Sequence, residues 1–308
     1  MRRDFIDEVA RTQNTVRVDL VEKDLLLHQV LFDLSENKLF HYNFAFKGGT
    51  CLAKCYLDYF RLSEDIDFTW KDQSVFEGKS QKAVRRYLSE VIDHLGVVFE
   101  GIAKTYGLDF KCLKDNRDYV ELSGGDKICT FKVWYQSEVF GRKSFFKVQM
   151  NFVEKICYPF KSAELKSVIS KNQEELALLF SEYSVCLLGV GFDVYDVREI
   201  LAEKIRAILT RRGIKARDFL DVYLIVKTFG VSLDEVFSCV VEKIQFTLRL
   251  YVRYQKNLEA KKVAFLSTPF SWGDERGLLL KKIDEKDFYR FIENLPRFLE
   301  KVVNNLSN

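Results

Sequence analysis

The chain has 308 residues, 47% of them hydrophobic and 30% charged, with a formal net charge of +3. That length suits one large domain or two moderate ones with a real core, and near neutrality allows a basic surface only locally. No apolar run approaches the roughly 18 residues of a membrane span, and Met1-Arg2-Arg3-Asp4 does not lead into a signal-peptide core, so a cytoplasmic protein without a membrane partner is expected. The seven cysteines are scattered, with no CxxC spacing and an odd count, and read as reduced, mostly buried thiols. Cys51 and Cys55 lie four apart, but the three histidines are all distant in sequence, so no zinc site is expected there.

In chain order, Leu20, Leu27, Val30, Leu31 and Leu34 are spaced for a helix over 17–36. A second helix should follow Gly48-Gly49, with Thr50 as its N-cap and Leu52, Cys55, Tyr56 and Tyr59 on the buried face. A short strand is expected at 65–70 and a long amphipathic helix over 79–101. Residues 127–135 alternate, with Cys129, Phe131, Val133 and Tyr135 on one side. The turn Ser123-Gly124-Gly125-Asp126 should pair them with 116–122 as a hairpin. Residues 144–152 form another strand, with Phe146, Val148, Met150 and Phe152 inward and Lys147, Gln149 and Asn151 opposite.

From about 197 the pattern is helical. Helices are expected at 197–211 and 215–228, joined at Arg212-Gly213. A last one carries Phe288, Phe291, Ile292, Leu295, Phe298, Leu299 and Val302, and Pro296 should kink or interrupt it. The chain therefore reads as α+β. An N-terminal unit, 1–195, has a mixed, mostly antiparallel sheet flanked by helices, and a helical unit covers 196–308, with the boundary where Gly189 and Gly191 break an apolar run.

The chemistry concentrates in two places. In Arg61-Leu62-Ser63-Glu64-Asp65-Ile66-Asp67-Phe68, the two aspartates fall on alternate strand positions and project together, while Ile66 and Phe68 enter the core. Paired carboxylates repel unless a cation neutralises them, and Mg²⁺ (or Mn²⁺) accepts such oxygen ligands together with substrate phosphates. Just upstream, Phe46-Lys47-Gly48-Gly49-Thr50 is a glycine turn at a helix start, where backbone N–H groups can approach a phosphate. Far downstream, Lys204 to Arg217 holds six basic residues and no acid. Lys204 and Arg211 share one helix face, and Asp218 and Asp221 share a face of the next. That is either a solvated helix hairpin or a cationic face for triphosphate oxygens with acids orienting the cations.

These strings resemble the AbiEii/AbiGii toxin family of nucleotidyltransferases, which includes the MenT-type toxins and belongs to the DNA polymerase β-like superfamily. The match is carried by Phe46-Lys47-Gly48-Gly49-Thr50, by Arg61 to Phe68, and by Ala202-Glu203-Lys204-Ile205-Arg206-Ala207 with Lys215-Ala216-Arg217-Asp218-Phe219-Leu220-Asp221. The resemblance implies that residues 1–195 are the nucleotidyltransferase domain. It implies that Lys47, Gly48, Gly49, Thr50 and Ser63 line the nucleotide pocket, that Asp65 and Asp67 hold Mg²⁺, and that Lys204 contacts the triphosphate. Asp218 is the further essential acid, with Arg211 and Asp221 less securely matched. The catalytic set is then Asp65, Asp67, Lys204 and Asp218, the substrate a nucleoside triphosphate, the acceptor an RNA 3′ end such as that of tRNA, and a cognate antitoxin a further partner.

One departure stands out. Enzymes of this superfamily usually place a third carboxylate on a later strand, where this chain has Gln149 and Asn151, with Glu154 just beyond the alternation. Either two carboxylates suffice, or Glu154 substitutes, or catalysis is impaired; the resemblance favours the first, since the family works from the Asp-x-Asp pair with the downstream Lys and Asp. Alternatives from other classes are transfer to a small molecule or a protein hydroxyl, and a non-catalytic nucleotide- or RNA-binding protein.

Overall fold

In the computed structural model, which describes residues 1–264 and 270–306, the chain divides into two units. The first comprises Met1–Glu154 and Phe160–Val194; the second comprises Lys155–Pro159 and the chain from Tyr195 onward.

The first unit begins with α1 (Arg3–Thr12), α2 (Val18–Glu36) and α3 (Lys38–Asn43), followed by β1 (Phe44–Lys47). The short helix α4 (Gly48–Cys51) runs directly into one π-helical turn, Leu52–Tyr56. Then come β2 (Asp65–Trp70), α5 (Gln81–Tyr106), β3 (Val120–Ser123), β4 (Ile128–Gln136), β5 (Lys143–Asn151), β6 (Lys161–Leu165), α6 (Gln173–Leu179) and β7 (Val190–Val194). The seven strands form one mixed sheet in the order β3-β4-β5-β2-β1-β7-β6. Only β1–β7 and β2–β5 pair parallel; the other four pairs are antiparallel. The architecture is α+β, with a mostly antiparallel sheet.

The core lies on one face of this sheet, set by the two-residue alternation. Phe44 and Phe46 of β1, Ile66 and Phe68 of β2, and Phe146, Val148 and Met150 of β5 are all fully buried. Phe99 of α5 packs edge-on against Phe40 and Phe131, and Phe40 in turn against Phe68. The helix α5 extends beyond the expected 101 to Tyr106 and stops at Gly107, whose left-handed backbone provides the C-terminal cap. The opposite face of the same strands carries Lys47, Asp65, Asp67, Thr69, Lys147, Gln149 and Asn151.

Two local expectations fail. Thr50 does not cap the helix after the glycines: Lys47, in extended conformation, takes the cap position and Thr50 lies inside α4. Nor does that helix continue to Tyr59. It ends at Tyr56, and Asp58 and Tyr59 adopt left-handed backbone, φ 49° and 51°. The Tyr59 hydroxyl donates to Asp24 Oδ1 of α2 at 2.9 Å, and the same oxygen receives the buried Lys54 ammonium at 2.8 Å, which holds this strained corner in place.

The second unit consists of α7 (Val197–Thr210), α8 (Ala216–Phe229), α9 (Phe237–Leu250), α10 (Val252–Ala264) and α11 (Glu285–Leu306). Phe288, Leu295, Leu299 and Val302 of α11 are buried at helical steps. Pro296 lies inside α11, which runs on to Leu306, so of the expected kink or interruption the helix shows no interruption. No helix among the described residues is long and apolar enough to cross a membrane.

Candidate active site

The first cluster is built where β1 hands over to α4. In the β1–β2 ladder Lys47 stands opposite Asp67, and in the β2–β5 ladder Asp67 stands opposite Gln149 and Asp65 opposite Lys147. Lys47, Asp65 and Asp67 thus share the polar face of the central strands. Gly48 follows immediately with φ +78°, and a Cβ placed on it would lie 3.0 Å from the Asp67 Cβ and 3.1 Å from its Cγ, closer still to Oδ2. Only glycine allows the loop to turn this tightly over the carboxylate.

The loop is tied to the acids as well. The Thr50 hydroxyl donates to the backbone carbonyl of Asp65 and shares a 2.7 Å hydrogen bond with Ser63. Both side chains are buried, so they act first as a clamp between α4 and the start of β2. Asp65 Oδ1 accepts from the Lys147 backbone N–H at 3.1 Å. Burial, and then the neighbouring Asp67 charge, push the Asp65 carboxyl above its ordinary range. A carboxylate raised by burial and by a like charge is a group that a bound cation would relieve.

The third-carboxylate position is filled by amides. Gln149 Nε2 donates to Asn151 Oδ1 at 3.2 Å. Glu154 is nearby but engaged: its Oε2 pairs with the Lys47 ammonium and accepts from Thr69 Oγ1 at 3.3 Å and Asn151 Nδ2 at 3.4 Å. Gln73 fixes this segment, accepting from the Glu154 N–H at 2.8 Å and donating to Phe152 O at 3.1 Å. The Glu154 pairing was not legible in the sequence, because 107 residues separate it from Lys47.

The second cluster belongs to the second unit, at the α7–α8 hairpin. Lys204 Nζ lies 2.9 Å from Asp218 Oδ1 and 2.7 Å from Asp221 Oδ2, and Arg211 Nη1 lies 2.7 Å from Asp218 Oδ2. Both acids are buried. Burial alone would raise the Asp218 carboxyl, but the Lys204 and Arg211 cations outweigh it and hold that carboxyl well below the usual range. The seven-residue spacing of the cations and the three-residue spacing of the acids thus meet as one network. Two acids and two cations leave it without net charge, and Arg217 pairs with Glu275 at 3.5 Å, so much of the basic run is neutralised internally. Arg212 and Lys215 are exposed.

The family model for the nucleotidyl transferase AbiEii toxin, type IV toxin–antitoxin system, matches residues 29–305. The chain belongs to the AbiEii nucleotidyl transferase toxin family. It is accordingly a nucleotidyltransferase of toxin–antitoxin type. JHP933 from Helicobacter pylori superposes with a TM-score of 0.44 at 14% identity, over 94% of each chain. A second H. pylori structure reaches 0.40 at 14% identity, over 94% of this chain and 96% of that one. At that overlap neither adds to the family assignment, and no curated protein matches the chain.

Proposed function

We propose that this AbiEii-family enzyme transfers a nucleoside monophosphate from a nucleoside triphosphate to an RNA 3′-hydroxyl, tRNA being the foremost candidate, in a reaction that depends on Mg²⁺ or Mn²⁺. The observation that carries the reading is the Asp65–Asp67 pair on one strand face, with Asp65 raised by burial and by Asp67, and with Gly48 turned directly over Asp67. Two hard oxygen donors of this kind fit a divalent cation. Bound there, the ion would supply positive charge to the triphosphate.

The chain's own residues do the rest. The backbone of Gly48, Gly49 and Thr50 offers N–H groups to phosphate oxygens, and the Thr50–Ser63 clamp fixes that backbone against Asp65. Lys47, held by Glu154, keeps a cation beside Asp67. In the second unit Lys204 and Arg211 are the groups proposed for triphosphate oxygens, with Asp218 and Asp221 fixing their positions. Gln149 and Asn151 leave two carboxylates as the metal set.

The RNA acceptor rests on family membership and on exposed Arg212 and Lys215, a smaller surplus than the six basic residues of the run suggest. The test is incubation of the protein with α-labelled nucleoside triphosphates and a cell lysate. Label at RNA 3′ ends with release of pyrophosphate supports the reading. Label in protein or in small molecules would move the acceptor to another class, and absence of pyrophosphate would leave a binding protein.

A further inference from the structure

The segment Lys155–Pro159 packs with the second unit although its flanking residues belong to the first. It brings Cys157 against two buried residues, Glu199 of α7 and Cys239 of α9. The two sulfurs and a Glu199 carboxylate oxygen all lie within 4.8 Å of one another. We propose that Cys157, Cys239 and Glu199 form a thiolate site for a soft divalent cation of the zinc class.

The carboxylate is already positioned as a ligand. Glu199 Oε2 accepts from the backbone N–H groups of Cys157 at 3.0 Å and Tyr158 at 2.8 Å, which fixes the loop and its thiol next to the acid. Oε1 faces the Lys243 ammonium at 2.5 Å, leaving a lone pair on that oxygen for a metal. Lys243 is itself anchored, donating to the Lys155 carbonyl at 2.6 Å. Outer partners of this kind orient ligands and set their basicity.

Charge balance favours the exchange. With both thiols protonated, the Lys243 ammonium answers the buried carboxylates of Glu199 and, at 3.5 Å, Glu203. Binding a dication breaks two S–H bonds, releases two protons to solvent and forms two metal–sulfur bonds and one metal–oxygen bond, with no change of oxidation state. Two positive charges enter with the dication and two leave as protons, so binding leaves the net charge of the cluster unchanged. Cys157 is half-buried, which leaves water a route to a fourth coordination position. Soft sulfur donors select zinc over magnesium, which separates this site from the Asp65–Asp67 pair.

The test uses full-length protein reduced and stripped of metal. Zn²⁺ titrated against a chromophoric chelator should bind one tight equivalent, release two protons in weakly buffered solution and raise the melting temperature. Cd²⁺ should give the ultraviolet thiolate charge-transfer band. Cys157→Ser and Cys239→Ser, checked for folding by circular dichroism, should lose the band and weaken binding by more than roughly 100-fold, the upper end of what a mere outer-shell change does. Asp65→Asn with Asp67→Asn should leave all of this unchanged, so failure here is distinguishable from failure of the proposed transfer reaction. Wild type showing no thiolate band, or zinc uptake unaltered in Cys157→Ser, overturns the site. Oxidation of the pair to a disulfide without metal uptake, seen as loss of two hydrogens by mass, overturns it too.

Discussion

Lys47 stands directly across the β1–β2 ladder from Asp67, yet its ammonium is bound by Glu154, which lies just past the end of β5. The acid that could have served as a third metal ligand instead holds a cation beside the aspartate pair. Glu154→Gln should therefore destabilise the protein, by about 3 kcal/mol or somewhat less because the amide still accepts a hydrogen bond. Its Mg²⁺ affinity should change little. Urea unfolding and metal titration check this, and a large loss of Mg²⁺ affinity in a folded variant would make Glu154 a ligand.

Gly48→Ala should lose most activity and about 1–2 kcal/mol of stability, since the new methyl group must adopt left-handed backbone and meets the Asp67 carboxylate. Turnover and urea midpoints measured together test it. Normal turnover would show that the loop need not sit this close to Asp67.

Asp65→Asn should stabilise the metal-free protein at neutral pH. The folded state raises the Asp65 carboxyl, so it prefers the neutral form, and the amide supplies that form permanently while still accepting from Lys147 N–H. Thermal melts in chelator compare the two proteins, and a lower melting temperature for the variant would contradict the expectation.

Asp218 has the opposite sign. Its carboxyl is depressed, so its contribution to stability is fully present above the unfolded value near 4 and is lost as pH falls through the lower folded value. Wild type should lose stability on acidification below about pH 5 more steeply than Asp218→Asn, which should be the weaker protein at pH 7. Parallel pH-dependent slopes would mean the Lys204–Asp218–Arg211 network does not hold in solution.

Lys204→Ala removes the cation that pairs with both buried acids, Asp218 and Asp221, and should unfold the hairpin, so activity loss in that variant says little about chemistry. Arg211→Gln is more informative. Arg211 is 43% exposed, and its removal should cost no more than about 1 kcal/mol of stability. A loss of about tenfold or more in turnover, corresponding to some 1.4 kcal/mol in the transition state, would then report on nucleotide transfer. Unchanged turnover would leave Arg211 structural.

Much of this arrangement is legible in the residue order, for physical reasons. Strands β2, β4 and β5 alternate over six to nine residues with one face apolar, which fixes their orientation as well as their existence. Strand β1 has four residues, too few for a period, though it sets Lys47 against Asp67. The helix after the glycines carries apolar residues well past its end. Its stop at Tyr56 goes with the Lys54–Asp24–Tyr59 contact, made across 30 and 35 residues of sequence. The α7–α8 network was half legible: helical spacing aligned each pair of charges, while their mutual neutralisation needed the packing of α7 on α8. The Cys157–Glu199–Cys239 cluster has no short-range signal at all, because its members come from a loop and two separate helices.

The most direct test is nucleotide transfer by wild type and by the Asp65→Asn/Asp67→Asn double variant, with α-labelled nucleoside triphosphates, total RNA and Mg²⁺. Wild type should label RNA 3′ ends and release an equivalent of pyrophosphate, chelator should abolish both, and the folded double variant should do neither. A double variant that retains full transfer would contradict the assignment of Asp65 and Asp67 as the metal-binding pair.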